Sequence, residues 1–245
     1  MYSYSESLEK TKKKMEGKKL YGVIENHQGE GWSESERNGM IELMKQKGQS
    51  LFLYSPQSDP LSVRKALGEK RQNMLKSLRE KCEKNSICVC VALNVGTEFK
   101  GENLETEAHV YVSLVQNINK QTSINTFAFF FDESASSKKG TGEAHCKLVN
   151  FVGEKLKTSK LTLLMCPSFN HGEIPSKQKR KEAYWKCVNK TLNKNVTLLW
   201  RGKSAIFSEF PLSYAKSLFQ FFEERKIILI ESFCSNVRNE TSELS

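Results

Sequence analysis

Two adjacent carboxylates, Asp132 and Glu133, close the most apolar stretch of the chain. The five residues ahead of them, Phe127-Ala128-Phe129-Phe130-Phe131, read as a strand buried on both faces. Apolar surroundings raise a carboxyl pKa, and a carboxylic acid that stays protonated near neutrality can serve as a general acid. A strand that simply exits into solvent is the plainer reading of the same pattern. Aspartate is otherwise scarce, since 26 of the acidic residues are Glu and only Asp59 and Asp132 are Asp.

Other chemistry-bearing residues are dispersed. Seven cysteines, at 82, 88, 90, 146, 166, 187 and 234, are an odd set lying mostly inside apolar runs, which suits reduced, buried thiols. Cys88 and Cys90 alternate along one strand face, but no second Cys or His pair stands at zinc spacing. Neither a metal nor a cofactor is expected. His27 and His171 fall on loops that follow strands, where they could meet a ligand or simply face solvent.

The formal charge of +10 gathers in two places. Lys10, Lys12, Lys13, Lys14, Lys18 and Lys19 lie in a polar N-terminal arm, and Lys177, Lys179, Arg180 and Lys181 form a second cluster. Neither is interleaved with aromatics, so solvated loops or a nuclear-import signal are expected rather than a nucleic-acid partner. No apolar run approaches the roughly 18 residues of a membrane span, and residues 1–19 have no apolar core of a secretory leader. With a mean hydropathy of -0.53, the expectation is a soluble cytoplasmic or nuclear protein with no membrane partner.

The elements that must position Asp132 and Glu133 alternate regularly. Apolar, β-rich runs fall at 20–25, 51–55, 87–93, 127–132, 161–166, 196–200 and 227–231. Helical periodicity occupies 33–47, 63–83, 104–119, 142–156, 180–193 and 212–225. The first of these opens on the capping pattern Ser33-Glu34-Ser35-Glu36, and Pro211 stands where the last would begin. Such alternation predicts an α/β fold with a parallel sheet, a TIM-type (β/α) barrel with seven recognisable βα units. An open doubly wound sheet is the alternative, but no glycine-rich phosphate loop follows the first strand. The expected division is a basic arm over 1–19 and a barrel over 20–245. In a barrel, chemistry sits at the C-terminal strand ends, which here hold acids and amides suited to a neutral sugar.

At those ends the sequence resembles the catalytic barrel of family-84 glycoside hydrolases, the O-GlcNAcases. Tyr21-Gly22-Val23-Ile24-Glu25 is similar to the family's first strand and Phe52-Leu53-Tyr54-Ser55-Pro56 to its second. Phe129-Phe130-Phe131-Asp132 resembles the fourth, Met165-Cys166-Pro167 the fifth, Val196 to Gly202 the sixth, and Ile228-Leu229-Ile230-Glu231 the seventh. The resemblance implies a β-N-acetylglucosaminidase working by substrate assistance, in which the 2-acetamido oxygen attacks the anomeric carbon. It assigns Asp132 to orienting the acetamide and Glu133 to general acid and base. It implies a glycosylated protein substrate, or an N-acetylglucosamine-type ligand, and substrate contacts at Asn26, Gln57, Asn170 and Ser232; Trp200 reads as barrel core or rim, with a sugar-stacking contact as the alternative.

Several of these positions depart from the family. Glu133 replaces a second aspartate and sets its carboxyl roughly 1.5 Å further out. Asn26 replaces a glycine, Gln57 a lysine, Asn170 a tyrosine and Ser232 an asparagine, while Val237 falls where the family has a sugar-binding aspartate. Losing three or four charge-assisted contacts costs around 6 kcal/mol, about four orders of magnitude in transition-state binding. Weak or lost activity is therefore expected, with a non-catalytic binding barrel as the alternative. Glu25 reads as an inward structural acid at the mouth. The pattern stops short of an eighth strand, so the first and last strands are expected to have open edges that an oligomer or partner would cover.

Overall fold

The computed structural model describes residues 22–26, 31–56, 67–96, 99, 103–131, 140–204, 210–223 and 225–230. The expected arm over 1–19 lies outside them. Seven strands alternate with six helices among the described residues: β1 (Gly22–Glu25), α1 (Glu34–Gln46), β2 (Leu51–Tyr54), α2 (Glu69–Lys84), β3 (Cys88–Val95), α3 (Leu104–Thr122) and β4 (Thr126–Phe131). Then come α4 (Thr141–Lys155), a short 3₁₀ turn, β5 (Thr162–Cys166), α5 (Lys179–Thr191), β6 (Thr197–Trp200), α6 (Leu212–Phe221) and β7 (Ile227–Leu229).

All neighbouring strands are parallel and the sheet order is simply β1 to β7. An order that never reverses, joined by right-handed crossovers, puts every helix on one face. The doubly wound alternative, which needs a reversal and helices on both faces, is thereby excluded. The packing agrees. One apolar cluster joins the helices to Phe52, Val91, Phe127, Phe129, Met165, Leu198 and Trp200. A second contains no helix residue and consists of strand residues and Ile230, just past β7, among them Leu53, Cys90, Ala92, Ala128, Leu164, Cys166 and Leu199. Apolar side chains with no covering layer can leave water only by meeting each other, so the sheet curls into a half-barrel. Among the described residues β1 and β7 each pair on one side only.

Helix boundaries follow local chemistry. α1 starts where expected because Ser33 and Glu36 form the reciprocal capping box, Glu36 N–H to Ser33 Oγ at 3.2 Å and Ser33 N–H to Glu36 Oε2 at 2.6 Å. α2 starts at Glu69, later than periodicity suggests: Gly68 is an extended N-cap, and Leu67 is buried with its carbonyl taken by Gln72 Nε2. α3 runs three residues further than expected, to a left-handed Ser123 whose N–H bonds the Asn119 carbonyl. α6 ends at Phe221 rather than 225, since Glu223 adopts φ +49°. Arg225 is thereby released to donate to the carbonyls of Leu192, Asn193 and Val196 past the end of α5. A cation there complements the negative end of the helix dipole.

Candidate active site

The C-terminal strand ends gather three groups of side chains. The floor comes from neighbouring strands in register: Asn94 of β3 lies beside Phe130 of β4, which lies beside Cys166 of β5. Period-2 alternation turns these three to the inner face, with Ala92 and Ala128 one layer below. Asn94 and Phe130 are half-buried, so this top layer is open where the layer beneath is closed. Asn170 donates Nδ2–H to Cys166 Sγ at 3.2 Å, and its Oδ1 lies 3.2 Å from His171 Nδ1. Burial pushes the Cys166 thiol up to about 11, with the Asn170 hydrogen bond opposing it.

The loop after β5 forms the wall and is held from behind by aromatic polar atoms. Trp185 Nε1–H donates to the Phe169 carbonyl at 2.7 Å, and Tyr214 Oη–H to the Gly172 carbonyl at 2.8 Å. Trp200 Nε1–H in turn donates to Tyr214 Oη at 2.8 Å. Strand-like pairing continues past the sheet, with Arg201 N–H on the Asn170 carbonyl at 2.7 Å and Gly172 N–H on the Gly202 carbonyl at 2.9 Å. Gly172 has φ +145°, and a Cβ there would meet the Trp185 ring at 2.8 Å, so only glycine fits.

His145 of α4 braces the end of β4. Its ring stacks on Phe131 at 3.9 Å between centroids, and Nδ1 lies 3.0 Å from Tyr184 Oη, which accepts the Ser168 N–H at 3.2 Å. With the imidazole proton on Nε2, the tyrosine hydroxyl donates to Nδ1 and the chain of bonds is complete. Burial lowers the His145 pKa to about 3, so the ring is neutral at physiological pH. This contact ties the residue just before Asp132 to the loop that carries Asn170. Nothing in the local sequence marks His145, which occupies the core stripe of α4 with Leu148, Val149 and Val152.

Packing assigns Trp200 to the core, in place of a sugar-stacking contact, and moves Glu25. Trp200 belongs to the helix-facing side, because Leu199 takes the inner one, and its ring is fully buried 5.2 Å from Trp185. It supports the wall through Tyr214 and offers no face to a ligand. Glu25 also faces the helices, not the mouth: Ile24 is the inner residue, and Glu25 is fully buried and bound at both oxygens by Arg37 of α1, at 2.7 and 2.9 Å. Burial opposes the Arg37 charge, but the bonds to Glu25 outweigh it and hold its pKa above the usual arginine value. Asn26 follows at the strand end, exposed. Asp132, Glu133, Gln57, Ser232, Val237 and His27 lie outside the described residues, whereas Asn26, Asn94, Asn170 and His171 lie within them.

The family model for beta-N-acetylglucosaminidase matches residues 21–241, nearly the whole chain. The chain belongs to the beta-N-acetylglucosaminidase family. A solved structure of a variant O-GlcNAc hydrolase from Thermobaculum terrenum superposes with a TM-score of 0.78 at 21% identity, over 89% of this chain. The match spans 48% of that protein's length. At that identity the likeness speaks to the fold, and it agrees with seven parallel strands curled into half a barrel.

Within this family fold, concavities lined by described residues lie in the helix layer, one between α1 and α2 and one between α5 and α6. Residues 57–66, 132–139 and 231–245, which follow β2, β4 and β7 in the sequence, lie outside the described residues. Among the described residues there is no cluster of three His, Cys, Asp or Glu able to hold a metal, and no helix long and apolar enough to cross a membrane.

Proposed function

We propose that the chain is an O-GlcNAcase-like glycoside hydrolase domain of the TIM-barrel type, whose strand-end mouth binds an N-acetylglucosamine-type ligand and whose turnover is weak or lost. The observation that carries this is the family match across 21–241, taken with the position of Asp132-Glu133 directly after the buried strand β4. In this reading Asp132 orients the 2-acetamido group, whose oxygen attacks the anomeric carbon. Glu133 protonates the leaving oxygen and then deprotonates the water that opens the oxazoline. The braced β4 end and β5 loop supply the rigidity that such positioning requires.

Weak turnover is favoured by Glu133, Gln57, Ser232 and Val237, which replace the family's residues. Asn170 adds to this, because its amide is already committed to Cys166 and His171. Carried to its limit, the same set describes a barrel that binds without hydrolysing, placed in the cytoplasm or nucleus with glycosylated proteins.

A thermal-shift titration with an oxazoline-mimicking inhibitor tests the ligand assignment. At a hundredfold excess over Kd the expected stabilisation is about 2.7 kcal/mol, or roughly 5–10 °C in Tm for a domain this size. No shift at saturating inhibitor overturns the sugar pocket. An aryl N-acetylglucosaminide assay then separates the two forms of the reading. Slow hydrolysis abolished by Asp132→Asn places the chain among the enzymes, and binding without hydrolysis places it among the pseudoenzymes.

A further inference from the structure

The chain's positive charge is concentrated on α5 and its flanks. Residues 177–194 hold seven Lys or Arg against one Glu, a net +6 of the total +10. Tyr184, Trp185 and Val188 bury one side of the helix against the sheet. Lys179, Lys186 and Lys190 share the opposite, exposed stripe, at spacings of seven and four residues. At its upper end Arg180 and Lys181 lie over the Phe169 ring, at 5.5 and 5.4 Å from its centroid. Phe169 belongs to the same loop as Asn170 and His171, so the ridge begins at the rim of the mouth. At its lower end Lys186, Lys190 and Lys194 line a shallow concavity of about 570 Å³ between α5 and α6. Two carboxylates answer part of this charge: Glu182 pairs with Lys186 at 2.6 Å and Glu223 with Lys194 at 2.5 Å.

We propose that the α5 ridge docks an acidic, extended polypeptide segment, the flank of the glycosylated protein whose sugar enters the mouth. This rests on the proposed sugar-binding reading for its identification of the partner, but not for the docking itself. The stripe from Lys179 to Lys190 is about 16 Å long, which five residues of extended chain cover. Carboxylates on one side of an extended chain recur every two residues, about 6.6 Å, close to the roughly 6 Å between Lys186 and Lys190, which are four apart. A single-stranded nucleic acid fits less well, because it needs exposed rings on which bases stack. Phe169, Tyr184 and Trp185 are buried, and Phe221, the half-buried ring in the concavity, packs edge-on against Trp185. The ridge is also rich in lysine, a point charge suited to carboxylates, with Arg180 engaged on Phe169.

The test is fluorescence anisotropy of a labelled sugar-free peptide carrying Glu at alternate positions, with an otherwise identical Gln peptide and a labelled oligodeoxythymidine as comparators. The protein is the full chain. The expected result is selective binding of the Glu peptide, weakened on going from 50 to 300 mM salt. The triple variant K179E/K186E/K190E should weaken it about tenfold while its melt is unchanged and it still binds the oxazoline mimic. Equal binding of the Glu and Gln peptides overturns the proposal, as does tighter binding of the oligonucleotide or an unaffected triple variant. Because the peptide carries no sugar, loss of inhibitor binding with intact peptide binding removes the sugar reading alone.

Discussion

The two faces of the sheet are built from different side chains. The helix-facing side carries the bulk: Phe52, Tyr54, Phe127, Phe129, Phe131 and Trp200, packed among Tyr184, Trp185 and Phe222. The inner side carries Cys90, Ala92, Ala128 and Cys166 between a few leucines. Curling explains the sizes. Side chains on the concave face converge and share less volume, while those on the convex face diverge and must fill the space up to the helices. The contrast also divides the labour. Outer residues position the site, since the polar atoms of His145, Tyr184, Trp185, Trp200 and Tyr214 reach the β5 loop directly or through one another. Inner residues are left to meet whatever enters.

The largest expected effect tests the outer half of this contrast. Trp200 is fully buried, contacts Trp185 and Phe222, and donates to Tyr214. Trp200→Ala should cost about 3–5 kcal/mol of unfolding free energy, measured by denaturant titration. A cost below about 1 kcal/mol would mean that the outer face is not the structural one. Sugar-mimic affinity in the surviving folded fraction should fall as well, because the wall loop loses its support through Tyr214.

The next effect is a pH dependence. His145 titrates at about 3 in the folded protein, depressed by burial from an ordinary value of 6.5. The unfolded chain therefore takes up the proton first. The stabilising contribution is complete above pH 6.5 and is lost as pH falls toward 3, at about 1.4 kcal/mol per unit. At pH 4 the loss from this one residue should be roughly 3 kcal/mol. His145→Gln should flatten the stability curve between pH 6.5 and 4 relative to wild type. Parallel curves for the two proteins would show that the imidazole is not buried against Phe131.

This residue also marks the limit of what the sequence made legible. Strand positions, their parallel order and most helix spans follow from apolar periodicity, because each βα unit repeats one local pattern. The candidate acids could be located because β4 is unbroken from Thr126 to Phe131. The facing of Glu25, and the choice between core and sugar platform at Trp200, stay open in the sequence because alternation gives two sides but not which side is inner. Only the packing of Ile24 and Leu199 fixes that. His145 is not legible in the sequence, because a histidine on a helix stripe has no local signature. Its role comes from Tyr184, 39 positions away in the chain.

The smallest stability effect is the sharpest test of the inner face. Phe130 is half-buried in the top layer between Asn94 and Cys166, whereas Phe129, its neighbour in sequence, is fully buried on the other side. Removing the Phe130 ring takes away apolar area that water already reaches, so Phe130→Ala should cost about 1 kcal/mol. The same change at Phe129 should cost about 3–5. If Phe130 is instead a floor for a sugar ring, its loss should weaken inhibitor binding about tenfold while the melt barely moves. A cost at Phe130 equal to that at Phe129 would mean that the inner face is closed core up to its last layer, with no volume left for a ligand. The comparison of faces would then fail where the proposed function depends on it.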